Sequence, residues 1–136
     1  MSLIGETYNK KVMIAETSYP YSLDNYDFFP NTNPSYDDVL SYPITVQGQA
    51  NHLRNLIKTI IDTKNSLGIF YWEPAWIPVG GADYYEYSFK WEKFGSGWSS
   101  SYAKSYDSDS YSAGGSVMDN QALFDRREAF RIFKNL

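Results

Sequence analysis

Two short apolar runs flanking one amphipathic helical stretch constrain the fold of this chain more than any other feature. Val12-Met13-Ile14-Ala15 stands between Lys11 and Glu16. Four consecutive small or branched apolar residues predict a strand over 11–16 buried on both faces, as in parallel sheets covered by helices. A helix follows with Thr45 as N-cap and Val46, Ala50, Leu53, Ile57, Ile60 and Ile61 spaced to build one apolar stripe. Arg54, Lys58 and Asp62 fall on the opposite face, Lys64 suits the negative pole of the helix dipole, and Asn65 with Gly68 supplies the stop. Leu67 to Pro74 then reads as a second buried strand, closed by a proline that cannot donate to a ladder. Strand, helix, strand in this order predicts a right-handed βαβ unit with parallel strands.

Glu16 therefore ends a strand, at the edge where parallel sheets bind ligands and mount catalytic side chains. The alternative is a solvated glutamate with no chemical task. Each strand is followed by a long loop. The stretch 19–42 carries Pro20, Pro30 and Pro34 among many aromatic, Asn and Asp residues. Loops longer than roughly 12–15 residues are usually functional or disordered, and the aromatic density argues against disorder. A second loop is predicted from Pro74 to about Met118, with Gly80-Gly81, Gly95-Ser96-Gly97 and Gly114-Gly115 as punctuation. Its interleaved Trp91, Phe94, Trp98, Tyr102, Tyr106 and Tyr111 suggest a loop that packs by its own side chains. A closing helical segment is expected from about Asn120 to Lys134, sharing Leu123, Phe124, Ala129, Phe130 and Phe133 on one apolar face. Residues 5–11 look like the tail of a preceding element, and Met1-Ser2-Leu3 like an added start without the regions of a signal peptide.

Composition narrows the function. The chain has 136 residues, 18% of them aromatic, and amphipathic rings in such numbers often wall ligand sites. A net charge of -4 leaves no basic stripe to neutralise phosphates, so neither nucleic acid nor an anionic membrane surface is an expected partner. No run approaches the roughly 20 apolar residues of a membrane span. With no cysteine and His52 as the sole histidine, Cys/His zinc sites, thiol catalysis and disulfides drop out. His52 sits inside the helix, away from the strand ends, and reads as a solvated or edge-of-core histidine rather than part of a Ser-His-Asp triad. No glycine-rich phosphate loop is present, since Gly80-Gly81 and Gly95-Ser96-Gly97 lack the following Lys and helix.

The stretch Lys10-Lys11-Val12-Met13-Ile14-Ala15-Glu16-Thr17-Ser18-Tyr19-Pro20-Tyr21 resembles glycoside hydrolase family 53, the arabinogalactan endo-β-1,4-galactanases. In the same order follow Gln47-Gly48-Gln49-Ala50, Gly68-Ile69-Phe70-Tyr71-Trp72-Glu73-Pro74-Ala75-Trp76, Trp91 to Trp98, Gly114-Gly115-Ser116 and Asp119 to Asp125. The resemblance covers most of residues 8 to 125, and Arg126 to Leu136 departs from the family's usual ending.

The resemblance implies an α/β fold, a (β/α)8 TIM barrel of which residues 1–136 would be one segment, units seven and eight, with long βα loops. Two units are a quarter of such a barrel, and a complete one takes at least roughly 200 residues. Two strands alone leave sheet edges and one face uncovered, so the isolated fragment is expected to self-associate or to pair with a missing portion. The resemblance makes Glu16 the nucleophile of a retaining glycosidase acting inside β-1,4-galactan or arabinogalactan. The acid/base glutamate would end strand four, which is not in this chain, so the chain alone is expected to be inactive. Retaining hydrolysis needs two carboxyls roughly 5–5.5 Å apart. Pairing Glu16 with Glu73, at the end of the neighbouring strand, is the weaker reading, because Glu73 is wedged between Trp72 and Pro74.

Trp72 is expected to lie under the sugar at the cleavage point, the alternative being a core tryptophan capping the barrel. Tyr19 could hydrogen-bond the nucleophile or the sugar, and Trp91 and Trp98 could carry more distant sugars unless the loop packs them on itself. No cofactor is expected for catalysis. Some relatives bind structural calcium on a loop matching Asn25, Asp27, Phe29 and Asn31, with a Ser and an Asp matching Ser116 and Asp119. Here Asn25 replaces an aspartate and Phe29 could offer only its carbonyl, so Asx-turn chemistry is the alternative. An extracellular or cell-surface location is what the resemblance implies. The other class open to the chain is a non-catalytic carbohydrate-binding remnant that keeps aromatic platforms without the acid.

Overall fold

The structure, a computed structural model, describes residues 1–31, 40–94 and 119–125. Helix α1 (Ser2–Tyr8) leads into strand β1 (Val12–Thr17), helix α2 (Val46–Asp62), strand β2 (Ser66–Tyr71) and helix α3 (Tyr84–Phe94), and Asp119–Gln121 form one turn of 3-10 helix. The two strands pair in parallel. This is the expected strand–helix–strand unit, and α2 begins where its cap predicts. Thr45 has an extended backbone, and its hydroxyl accepts the Gly48 N–H at 3.0 Å. Gly48 in that first turn admits a close approach: a Cβ there would lie 1.8 Å from the Pro43 carbonyl oxygen. The sequence Gln47-Gly48-Gln49-Ala50 thus lets the preceding loop fold flat against the helix start.

The apolar stripe of α2 divides. Ala50, Leu53 and Ile60 are buried, the first two packing with Leu123 against Val46, Ile69 and Tyr71. Ile57 is partly exposed and Ile61 is 76% exposed. A 3.6-residue period spreads six apolar positions over a wide arc, and the two-stranded sheet covers only part of it. The strands depart from expectation in the same sense. Burial on both faces was predicted, whereas Met13, Leu67 and Phe70 stand on an open face. A short sheet covered by α2 on one side has nothing on the other among the described residues.

Three further expectations change. Ser2 and Leu3, read as part of an added start, belong to α1 together with residues 5–8 of the stretch read as the tail of a preceding element, and α1 ends at Asn9 in a left-handed conformation (φ 49°) with Lys10 N–H bonded to the Gly5 carbonyl. The second long loop contains α3. Its signal was a cap rather than a stripe: the Asp83 carboxylate accepts the Glu86 N–H at 2.9 Å, and the Glu86 carboxylate reaches back to the Ala82 N–H at 2.8 Å. Glu86 also pairs with Lys90 one turn on. Finally, among the described residues of the closing segment, 119–121 form a 3-10 turn and 122–125 are not helical, while the rest of the expected helix lies outside the described residues. Leu123 is buried but Phe124 is 45% exposed, so they do not share one face. Ala129, Phe130 and Phe133 lie outside the described residues.

A second small core lies under α3. Phe29 from the first loop packs with Tyr87 and Trp91, flanked by Trp76 and Val79. The Tyr87 hydroxyl donates to the Asp27 carboxylate at 2.6 Å, tying α3 to the loop that follows β1.

Candidate active site

Glu16 owes its position to an irregularity in the strand pairing. Ile14 pairs with Ile69 and Thr17 with Tyr71, so β1 advances three residues while β2 advances two. The extra residue is a bulge, and bulges re-aim the side chains beside them. In an unbroken strand Glu16 would share the face of Val12 and Ile14, half-buried toward the helices. Instead Met13, Ala15 and Glu16 are exposed, and Thr17 takes the half-buried position. The bulge turns the carboxylate to the open face.

Trp72 lies next to that end of β1. Its backbone N–H donates to the Thr17 carbonyl at 2.8 Å, and its ring is 42% exposed. Glu73 follows with φ 46°, a left-handed conformation uncommon for a side chain of its size. Burial raises its carboxyl above the usual carboxylate range. The chain thus turns sharply just after presenting the tryptophan.

Behind the strand ends lies a buried polar clip. Gln49, fully buried on α2, has its amide nitrogen 2.6 Å from the Tyr19 carbonyl, 3.0 Å from the Tyr71 hydroxyl and 3.0 Å from the Gln121 carbonyl. Two flanking carbonyl oxygens fix the amide orientation, since only the NH2 side can donate to them. The Tyr71 hydroxyl accepts the Tyr19 N–H at 3.1 Å and donates to the Gln121 carbonyl at 2.8 Å. Burial pushes the Tyr71 phenol up to about 12, so it stays a neutral donor.

The first loop is anchored by the same short segment. Asp119, Asn120, Gln121 and Asp125 are all nearly inaccessible to solvent. Asp119 accepts the Tyr26 N–H at 2.8 Å, and the Tyr21 hydroxyl lies 3.1 Å from the Asp125 carboxylate. The Asn120 amide donates to the Ser22 carbonyl, and the Tyr21 N–H to the Asn120 carbonyl. Of the suggested cation ligands, Asp27 receives the Phe29 N–H at 2.7 Å and the Tyr87 hydroxyl, while the Asn25 amide donates to the Asp27 carbonyl. The Phe29 N–H bond to Asp27 is an Asx-turn bond. The Asn31 amide donates to the Asp24 carbonyl, and its own buried Oδ1 has no partner among the described residues. That orphan acceptor, two carboxylates and the Phe29 carbonyl are oxygen donors of the kind calcium takes. Ser116 lies outside the described residues.

Of the expected sugar contacts, Trp72 is accessible beside Glu16. Tyr19 turns away: it is 5% exposed, stacks on His52 with ring centroids 4.4 Å apart, and exchanges hydrogen bonds with the Tyr42 backbone. A phenol committed in this way holds the loop rather than a sugar. Trp91 is 2% exposed and stacked on Tyr87, with Trp76 edge-on to it, which is packing of the segment on itself. Trp98 lies outside the described residues. His52 is half-buried at the edge of the core, and burial lowers its pKa below the ordinary histidine range. Sequence reasoning missed the clip residues Gln49 and Tyr71 and the anchors Asn120, Gln121 and Asp125. The signal was available, because each stands inside a stretch that carried the family resemblance.

The model of glycosyl hydrolase family 53 matches residues 1–132. An endo-beta-1,4-galactanase of Bacillus subtilis is 50% identical over 129 residues, which is 92% of this chain and 30% of the relative. An arabinogalactan endo-beta-1,4-galactanase of Cellvibrio japonicus is 35% identical over 74 residues, covering 54% of this chain and 19% of its own length. Among solved structures, the Ignisphaera aggregans GH53 catalytic domain superposes with a TM-score of 0.59 at 30% identity, covering 98% of this chain and 32% of that one. This chain thus spans about a third or less of each of these relatives.

Proposed function

The chain belongs to glycosyl hydrolase family 53, a TIM-barrel family of hydrolases, and from that premise we propose that it supplies the nucleophile of a retaining endo-β-1,4-galactanase. Glu16 attacks the anomeric carbon, and a second glutamate, at the end of a strand outside this chain, protonates the leaving oxygen and later activates water. The observation that carries this reading is the bulge at Ala15-Glu16, which puts the carboxylate on the open face at a strand's C-terminal end. We place the segment as barrel units seven and eight, with the exposed Met13, Leu67 and Phe70 facing the barrel interior. Trp72, bonded to the end of β1 and accessible, stacks the apolar face of the sugar at the cleavage point. Tyr19 holds the loop behind Glu16, and Trp98 is left for a more distant sugar. The substrate is β-1,4-galactan or arabinogalactan, and the site of action is outside the cell. Among the described residues no helix is long and apolar enough to cross a membrane.

The test uses a chimera in which this chain replaces the matching segment of the Bacillus subtilis relative. A 2-fluoro galactoside with a good leaving group should inactivate it with one label on Glu16, located by peptide mass spectrometry. Labelling elsewhere, at Glu73 for instance, would move the nucleophile. Binding of galactan by a chimera that neither turns over nor labels would favour the non-catalytic reading.

We also propose calcium as a structural ion on the first loop, held by Asp27, Asn31, Asp119 and Ser116, with Asn25 at the rim. The buried Oδ1 of Asn31 supports this. Millimolar calcium added after chelation should raise the chimera's melting temperature by several degrees, and Asn31→Ala should remove the response. An unchanged melting curve with and without chelator would rule the ion out.

A further inference from the structure

The Gln49–Tyr71 clip joins four parts of the chain at the strand ends. Gln49 comes from α2, Tyr71 is the last residue of β2, Tyr19 follows Glu16 by three residues, and Gln121 belongs to the 3-10 turn at 119–121, which is buried. Tyr71 also immediately precedes Trp72, whose N–H closes on Thr17, the residue after Glu16. The backbone segments presenting Glu16 and Trp72 are thereby bound to one rigid point behind them. The ladder holds this end only through the Thr17–Tyr71 pair and the Trp72 N–H, because the bulge interrupts regular pairing between Ile14 and Thr17. A bulged strand end has more freedom than a regular one, so its side chain's direction depends on what holds the residues just beyond it.

From this geometry we infer that Gln49 and Tyr71 are positioning residues, setting the direction of Glu16 relative to Trp72 during galactan hydrolysis. The inference rests on the proposed role of Glu16 as nucleophile. Neither side chain touches the sugar. The Tyr71 hydroxyl fills its whole capacity inside the clip, donating once and accepting from the Tyr19 N–H and the Gln49 amide. Gln49 offers two N–H groups to three oxygens. A substitution that removes either group leaves buried carbonyls unpaired and frees the loop behind the nucleophile.

Tyr71→Phe and Gln49→Glu in the Bacillus chimera test this, with Ile60→Ala as a control that loosens the same helix outside the cluster that Tyr71 packs against. Tyr71→Phe should lower kcat about 10- to 100-fold, as misplacement of a reacting group does, while KM moves much less. The rate of labelling by the 2-fluoro galactoside should fall in parallel. Ile60→Ala should lower the melting temperature while its kcat, measured well below melting, stays near that of the parent. If Tyr71→Phe and Ile60→Ala lose kcat only in proportion to their lost stability, the inference is overturned. Gln49→Glu puts a carboxyl among three oxygens. It can donate only when protonated, so activity relative to the parent should rise as the pH is lowered. A ratio flat with pH would also overturn the inference. A folded parent chimera that neither hydrolyses galactan nor labels would overturn the proposed function and the inference with it. An active, labelled parent with unaffected variants overturns the inference alone.

Discussion

Glu16→Gln in the Bacillus chimera should lower kcat at least about 10^4-fold, the scale seen when a covalent nucleophile is removed. The substitution keeps size and hydrogen-bonding reach but replaces the attacking oxygen with an amide that forms no stable glycosyl ester. Because Glu16 is exposed at the end of β1, losing its charge disturbs no buried partner, and the melting temperature should stay close to the parent's. Galactan should still bind, since the tryptophan and the loops remain. The measurement is steady-state hydrolysis beside a galactan-binding titration. Retention of more than about a tenth of the parent rate would remove Glu16 from the nucleophile's role.

Trp91→Ala should destabilise the same chimera by about 4 kcal/mol, within the range for truncating a buried aromatic ring. Trp91 is 2% exposed and fills the small core under α3 between Tyr87 and Trp76. Removing it leaves a cavity that the short helix and the loop carrying Phe29 can close only in part. Trp72→Ala makes the contrast. Its ring is 42% exposed, so it should change stability by less than about 1 kcal/mol and act instead on galactan turnover. Chemical denaturation of both variants separates the two tryptophans. Equal stability losses would mean that Trp72 is the core residue the alternative reading described.

Much of the fold was legible because local signals agreed with one another. Thr45 capped the helix it was expected to cap, Ala50 and Leu53 met the sheet as their spacing required, and Ile60 is buried. Parallel pairing followed from a helix placed between two apolar runs. Helix α3 was not legible as a stripe. Its aromatic residues point several ways, with Tyr87 and Trp91 inward and Tyr85 and Phe89 outward, so periodicity gave no helical pattern, and the Asp83–Glu86 cap that starts the helix went unread. Trp91 and Trp72 look alike in sequence, and only packing distinguishes them.

By itself the sequence determined the family, the strand–helix–strand order and the position of Glu16 at a strand's end, since those depend on residue types and on spacing along the chain. The tertiary structure decided where that carboxylate points. Period-two alternation puts residue 16 on the same face as Val12 and Ile14, whereas the pairing with β2 admits one extra residue and turns it outward. Register is a relation between two strands, and a bulge exists only in their pairing. The clip of Gln49, Tyr71, Tyr19 and Gln121 is of the same kind, because its bonds join residues 22 to 72 positions apart that no local pattern connects.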